Sequence, residues 1–179
     1  MFITALITAL VDQVTKRLAV ERFSDYGDSI TVISRFFELR IVRNSGAAWG
    51  MLHGQRLILI AVSVIMLGFV VWNRKEFAKN GRFSSIMTGI LAGGILGNLI
   101  DRVLTGKVID FLDFHWEDVY HFPVFNVADA AICVGIFFLL GTQLFGKQNK
   151  EVQKFGSSEV QETENPDTPF AQDSELPNS

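Results

Sequence analysis

Cysteine occurs once in this chain, at Cys133, inside an apolar run. A single cysteine excludes an intrachain disulfide framework and a cysteine-based zinc site. Its expected place is that of a small buried hydrophobe. Histidine is also scarce: His53, His115 and His121 show neither an HExxH motif nor a paired spacing, so no metal site is expected. Lysine and arginine form no basic patch, which argues against nucleic acid as a partner. Three of the four prolines are set apart near the end, in Asn165-Pro166, Thr168-Pro169 and Leu176-Pro177.

That end differs from the rest. Residues 147–179 carry three Lys against seven acids, and the formal net charge of −3 comes from them. A segment so acidic and so poor in apolar residues cannot bury enough surface to order itself. It reads as a disordered acidic appendage, separate from residues 1–146, where nearly all the apolar mass lies.

A bilayer-spanning helix needs about 20 mostly apolar residues. Four stretches approach this: about 2–20, Leu57 to Trp72, about Phe83 to Leu104, and about Val124 to Phe145. The first is not expected to be a cleaved leader, since it lacks a basic start and no small-x-small site follows. Arg74, Lys75, Lys79 and Arg82 fill the second connection, and Lys147, Lys150 and Lys154 begin the tail, whereas the third connection holds only Lys107. The bias of Lys and Arg toward the cytoplasm then places the 73–82 loop and both termini inside. The first connection, about 21–56, falls outside. Within it Phe37 to Arg43 mostly alternates apolar and charged residues, the period of a strand with one covered face, and Thr31-Val32-Ile33 is a plausible partner. The expected architecture is therefore an all-α polytopic membrane protein of four transmembrane helices, with a small extracytoplasmic β-sheet in the first loop.

The third span repeats glycine every four residues, at Gly89, Gly93 and Gly97, with Gly94 beside them. Small residues at that spacing let helix backbones approach closely in lipid. Polar residues share faces in the same way. Asp12 and Lys16 are four apart, Asn98 and Asp101 three apart, and Asn126 and Asp129 three apart. Each pair can turn inward, away from lipid. Arg102 can reach the interface or pair with a carboxylate.

Asp110 and Asp129 are the most informative of these. A carboxylate in hydrocarbon costs roughly 2.5–3.5 kcal/mol on insertion scales. Asp110 follows the glycine-rich run, and Asp129 opens the last one. If the two helix ends meet they form a carboxyl pair, the working unit of an aspartyl protease. Milder roles exist: Asp129 as an acid favoured by a helix N-terminus, Asp110 as a loop acid. A proton-coupled carrier also keeps acids in its helices, but it usually shows internal repeats, and none relates residues 1–72 to 83–146. A membrane scaffold would explain the glycines and leave the two aspartates unexplained.

Five stretches in order resemble the lipoprotein signal peptidase family (signal peptidase II). They are Asp12-Gln13-Val14-Thr15-Lys16, Asn44-Ser45-Gly46-Ala47-Ala48-Trp49-Gly50, the run from Gly93 to Arg102, Val108-Ile109-Asp110-Phe111, and the run from Phe122 to Asp129. The resemblance covers residues 12–129 and leaves the tail outside. It implies a four-helix intramembrane aspartyl endopeptidase over residues 1–146 in a bacterial cytoplasmic (inner) membrane, with its site near the extracytoplasmic face. It implies Asp110 and Asp129 as the catalytic pair. Asn44, Gly46, Asn98, Asp101, Arg102, Asn126 and Ala128 would bind substrate or support the site, and Asp12 and Lys16 would be structural. It implies no cofactor and no metal. The partners implied are membrane lipid and prolipoproteins bearing a diacylglyceryl cysteine, cut just before that residue. Trp49 stands where phenylalanine is commoner in the family, and only 11 residues precede Asp12.

Overall fold

The computed structural model describes residues 1–23, 28–47, 50–116 and 119–142. The tail from residue 147, expected to be disordered, lies outside the described residues, as do Ala48 and Trp49 of the first-loop motif. The element order is α1 (Phe2–Arg22), β1 (Ser29–Ile33), β2 (Phe37–Asn44), α2 (Arg56–Trp72), α3 (Arg74–Ala78), α4 (Arg82–Leu104), β3 (Val108–Trp116) and β4 (Tyr120–His121). A further helix, α5, runs over Val127–Thr142. All four apolar stretches marked in the sequence are helical over most of their length. α4 alone among the described helices is both long and apolar enough to cross a membrane by length and composition, while α2 and α5 are apolar but shorter.

The bundle is turned inside out. α1 exposes Ile3, Leu6, Leu10 and Leu18 and buries Ala9, Asp12, Lys16 and Ala19. Those four buried positions follow the 3.6-residue period, so one stripe of α1 carries two small residues and two charges inward. α2 likewise exposes Leu57, Ile65 and Trp72, and α5 exposes Phe137 and Leu140. Water would not tolerate such an outer surface over this area, and lipid would.

α4 is the central helix, and its glycines set how closely its neighbours pack. A Cβ at Gly93 would lie 2.5 Å from the Ala5 carbonyl oxygen, and one at Gly97 would collide with Asp12 Oδ2. The stripe is thus the contact surface for α1. Gly94 points the other way, where a Cβ would sit 2.5 Å from the Ala128 carbonyl oxygen of α5. Between α1 and α5 the glycine helix leaves room for polar side chains and none for its own. At its end, Arg56 Nε and Nη2 donate to the carbonyls of Arg102 and Val103 at 2.8 and 2.7 Å. A cation on the last carbonyls of a helix is a favourable end, and it fixes where the chain leaves α4 for β3.

The sheet differs from expectation. It has four antiparallel strands in the order β1-β2-β3-β4. Only β1 and β2 come from the first loop; β3 and β4 come from the third connection. Asp110 is therefore the third residue of a strand, not the end of a helix. The run Val108 to Trp116 does carry a strand signal, being rich in Val, Ile, Phe and Trp and bounded by Gly106 at φ 79°. In the sequence alone the segment falls in the third connection, just after the third span, and no strand is assigned to it. The sheet docks on the bundle through Ala19, Phe23 and Phe111, with Ile30, Leu39 and Val127 around them.

Gly97→Ala is expected to destabilise the purified protein by about 1–3 kcal/mol, since the added methyl must displace a buried carboxylate. Gly68→Ala, in the interior of α2 with nothing within 4 Å of the new Cβ, should not lower the melting temperature, since alanine is the better helix former. Thermal unfolding in detergent compares the two.

Candidate active site

The site begins with a buried ammonium. Lys16 Nζ lies 2.8 Å from Asp12 Oδ2 and 2.8 Å from Asp101 Oδ2, and it donates to Asn98 Oδ1 at 3.0 Å. Asp12 and Lys16 are almost wholly enclosed. Buried charges hold only when paired and hydrogen-bonded, and here three partners meet one cation. Gln13 Nε2 adds a tie to Asp101 Oδ1 at 2.9 Å and another to the Gly97 carbonyl at 3.2 Å. Asp12 Oδ1 accepts from the backbone N–H of Ala128 at 2.9 Å, in the first turn of α5. The α1 charge stripe thus fastens α1 to α4 and α5 together.

From this cluster two aspartates are positioned. The backbone N–H of Ile109 donates to Asp101 Oδ2 at 3.3 Å, anchoring the start of β3 next to Asp110. Asn44 pairs with Val108 across β2 and β3, so Asp110, two residues further on, is its diagonal neighbour on the same face. Asn44 Nδ2 donates to Asp110 Oδ2 at 3.0 Å. Asn126 Nδ2 donates to the other oxygen, Oδ1, at 2.7 Å and to Asn98 Oδ1 at 3.2 Å. Asn126 also caps α5. Its Oδ1 accepts from the Asp129 N–H at 2.9 Å, while Asp129 Oδ2 accepts from the Asn126 N–H at 3.3 Å. This is a reciprocal capping box, with Asp129 at its third helical position. Asn98 Nδ2 completes the set by donating to Asp129 Oδ1 at 2.7 Å. The residues before α5 bond to β3 as well, Leu112 and Phe125 exchanging two backbone hydrogen bonds at 2.9 and 3.1 Å. That bridge keeps Asn126 beside Asp110.

Gly46 turns the chain after β2. Its N–H donates to Asn44 Oδ1 at 2.8 Å, and a Cβ there would meet the Met51 carbonyl oxygen at 2.7 Å. Arg102 donates to the carbonyls of Gly46 and Asn98, each at 3.4 Å, and its buried Nε has no hydrogen-bond partner among the described residues. Asp110, Asp129, Asn44 and Arg102 all line one cleft of about 840 Å³, with Val42 and Ile132 on its apolar walls. Cys133 lines it too, on an exposed part of α5. The expectation of a buried thiol is corrected: four residues beyond Asp129, it shares that residue's helix face. Burial, and then the charge of Asp129, push the Asp110 carboxyl up to about 7, against the opposing hydrogen bonds from Asn44 and Asn126.

The fold thus gathers the polar and small residues proposed for the site: Asn126 bonded to both Asp110 and Asp129, Asn44, Gly46, Asn98, Asp101 and Arg102 around them, Asp12, Lys16 and Ala128 beneath. Gln13 was passed over, although it lies inside the first motif. Only its long reach across to α4 reveals its place.

A helix bundle with charge inside and apolar residues outside, holding two carboxylates at one cleft, has the make-up of a membrane enzyme. Known proteins give it a family. Residues 4–145 match the signal peptidase (SPase) II family. A lipoprotein signal peptidase of Bacillus pumilus (strain SAFR-032) is 36% identical over 151 residues, covering 84% of this chain and 96% of that one. A bacterial membrane enzyme determined by the in meso method at 2.3 Å resolution superposes with a TM-score of 0.75 at 36% identity, covering 83% of this chain and 89% of that one. A second, at 1.9 Å resolution, gives a TM-score of 0.68 at 36% identity, covering 79% and 90%. The chain belongs to the signal peptidase II family, aspartic peptidases that remove signal peptides from prolipoproteins.

Two outcomes follow from the geometry. Lys16→Met leaves two buried carboxylates without their cation, and a broken buried pair costs about 3–5 kcal/mol. Asp12→Asn keeps the shape and loses less. Both should lower the melting temperature and protein yield more than the activity per folded molecule. Separately, folded Asp110 holds its proton to about pH 7, whereas an unfolded aspartate releases it near 3.9. The folded state therefore binds the proton more tightly, and wild-type stability falls as pH rises between those values. Asp110→Asn lacks this titration. Its melting temperature relative to wild type should move in the variant's favour from about pH 5 to about pH 8.

Proposed function

We propose that Asp110 and Asp129 are the catalytic pair of this peptidase. The observation that carries the assignment is a shared one: both carboxylates line the same cleft, and Asn126 donates to both, from its side chain to Asp110 and from its backbone N–H to Asp129. Two carboxyl groups so held share one proton near neutral pH and titrate as a unit. The ionised member takes a proton from a water molecule as that water attacks the scissile carbonyl carbon. The protonated member donates to the carbonyl oxygen, and a tetrahedral diol forms. The diol collapses as the amide nitrogen receives a proton and leaves. Asn44 and Asn98 each hold one oxygen of an aspartate and Asn126 holds the other, leaving the second lone pair of each oxygen to water and substrate. Arg102 stands at the cleft, and its buried Nε–H, without a partner among the described residues, is suited to a peptide carbonyl.

The substrate fitting this cleft is an extended, apolar peptide segment. In the family's chemistry that segment is the signal peptide before a diacylglyceryl cysteine, whose acyl chains lie in lipid alongside the exposed faces of α1, α2 and α5. Four spans, formed by α1, α2, α4 and α5, account for those outward apolar faces. Arg74, Lys75, Lys79 and Arg82 around α3 support a cytoplasmic α2–α4 connection, with both termini on that side. The sheet and the carboxylate pair then face the extracytoplasmic surface of a bacterial cytoplasmic membrane.

The test is cleavage of a diacylglyceryl-modified prolipoprotein by purified, detergent-solubilised protein. Wild type should cut just before the modified cysteine. Asp110→Asn and Asp129→Asn should each lose at least about a thousandfold in kcat/KM while still folding, as expected when a general acid or base essential to the chemistry is removed. Raising the pH through about 7 removes the shared proton, so wild-type kcat/KM should fall on that limb. Full activity in either variant rejects the pair.

A further inference from the structure

The spacing of the three histidines gives no sign of a metal site, but the sheet brings two of them together. His115 of β3 is the cross-strand partner of His121 in β4, and their rings stack with centroids 5.5 Å apart. Asp113 precedes His115 by two residues and so projects from the same face of β3. One donor atom from each of Asp113, His115 and His121 lies within 4.8 Å of the other two.

Two of these groups are left unsatisfied. Asp113 is buried, with 3% of its surface exposed. Arg40 Nε binds its Oδ2, while Oδ1 is buried with no hydrogen-bond partner among the described residues. His115 Nδ1 is buried and likewise has no partner among the described residues. A buried carboxylate oxygen and a buried imidazole nitrogen without partners are costly to leave so. A cation would satisfy both at once.

We propose that Asp113, His115 and His121 form a binding site for a divalent transition cation of the zinc class. Two imidazoles and one carboxylate, with no thiolate, suit that class. Arg40 on the far oxygen fits the arrangement, because ligating carboxylates are commonly held by a second hydrogen bond that orients them. A tetrahedral shell separates its ligand atoms by about 3.3 Å, so the cluster must close by a small movement, and the exposed side chain of His121 provides it. The site has no part in the peptide chemistry. Its consequence is mechanical: β4 is only two residues long, and the chain runs directly from it into Phe122, Val124 and Phe125 on the wall of the cleft. A cation bound across β3 and β4 would clamp that wall.

The test uses full-length protein purified without a histidine tag and stripped with a chelator, titrated with Co²⁺ and followed by visible ligand-field absorption, then by displacement with Zn²⁺. The expected result is one equivalent bound, a rise in melting temperature with Zn²⁺, and affinity weaker by about tenfold or more in His121→Ala, whose side chain is exposed. Asp113→Asn, which keeps the shape of the side chain, serves as the second variant and should weaken binding likewise. His53→Ala should bind as wild type does. No stoichiometric absorption, or binding unchanged in both site variants, or binding lost with His53→Ala, overturns the site.

Discussion

Lys16 brings a full positive charge into the interior of a bundle whose outside is hydrocarbon-like, and the placement of the site depends on how that charge is neutralised. Asp12 comes from its own helix, Asp101 and Asn98 from α4, and through Asp12 the first turn of α5 is drawn in. No one of these contacts would survive alone in a low-dielectric interior. Together they define the relative depth of three helices. A shift of one turn in any of them would leave a carboxylate or an ammonium stranded.

The proposed catalytic pair is built on top of this cluster, by groups that take no part in proton transfer themselves. Asp101 reaches the backbone of Ile109, so the same carboxylate that neutralises Lys16 also sets β3 in place. Asn98 touches Lys16 on one side and Asp129 on the other. Asn126 caps its own helix and spans to Asp110. Amides suit this work: each offers a donor and an acceptor and stays neutral at any pH the protein meets. The asparagines can hold two carboxylates close together without neutralising them, leaving Asp110 with a proton affinity raised to about 7 by burial and by its neighbour.

Glycine along α4 makes that crowding possible. A residue with a side chain at Gly97 would occupy the space of the Asp12 carboxylate, and one at Gly94 would push away the backbone of α5 at Ala128. The polar interior therefore needs a helix that supplies backbone and little else on two sides. In lipid, where apolar side chains gain nothing by meeting each other rather than acyl chains, close backbone packing and buried polar contacts are the forces that remain.

Sequence alone determined the helices, the inward charge stripe and the glycine stripe, and it singled out the two aspartates. These are local facts: periodicity, spacing and the rarity of carboxylates in apolar runs can be read without knowing what lies opposite. The β1–β2 hairpin was legible for the same reason, from its alternation. Tertiary structure decided the rest. It showed that Asp110 stands on a strand, that half the sheet comes from the third connection, that Cys133 opens to the cleft, and that Gln13 reaches α4. It also brought His115 and His121 face to face across a two-residue strand. Each of these depends on which segments pair across tens of residues, and strand pairing and helix crossing are set by the packing of the whole, which no local window of the chain contains.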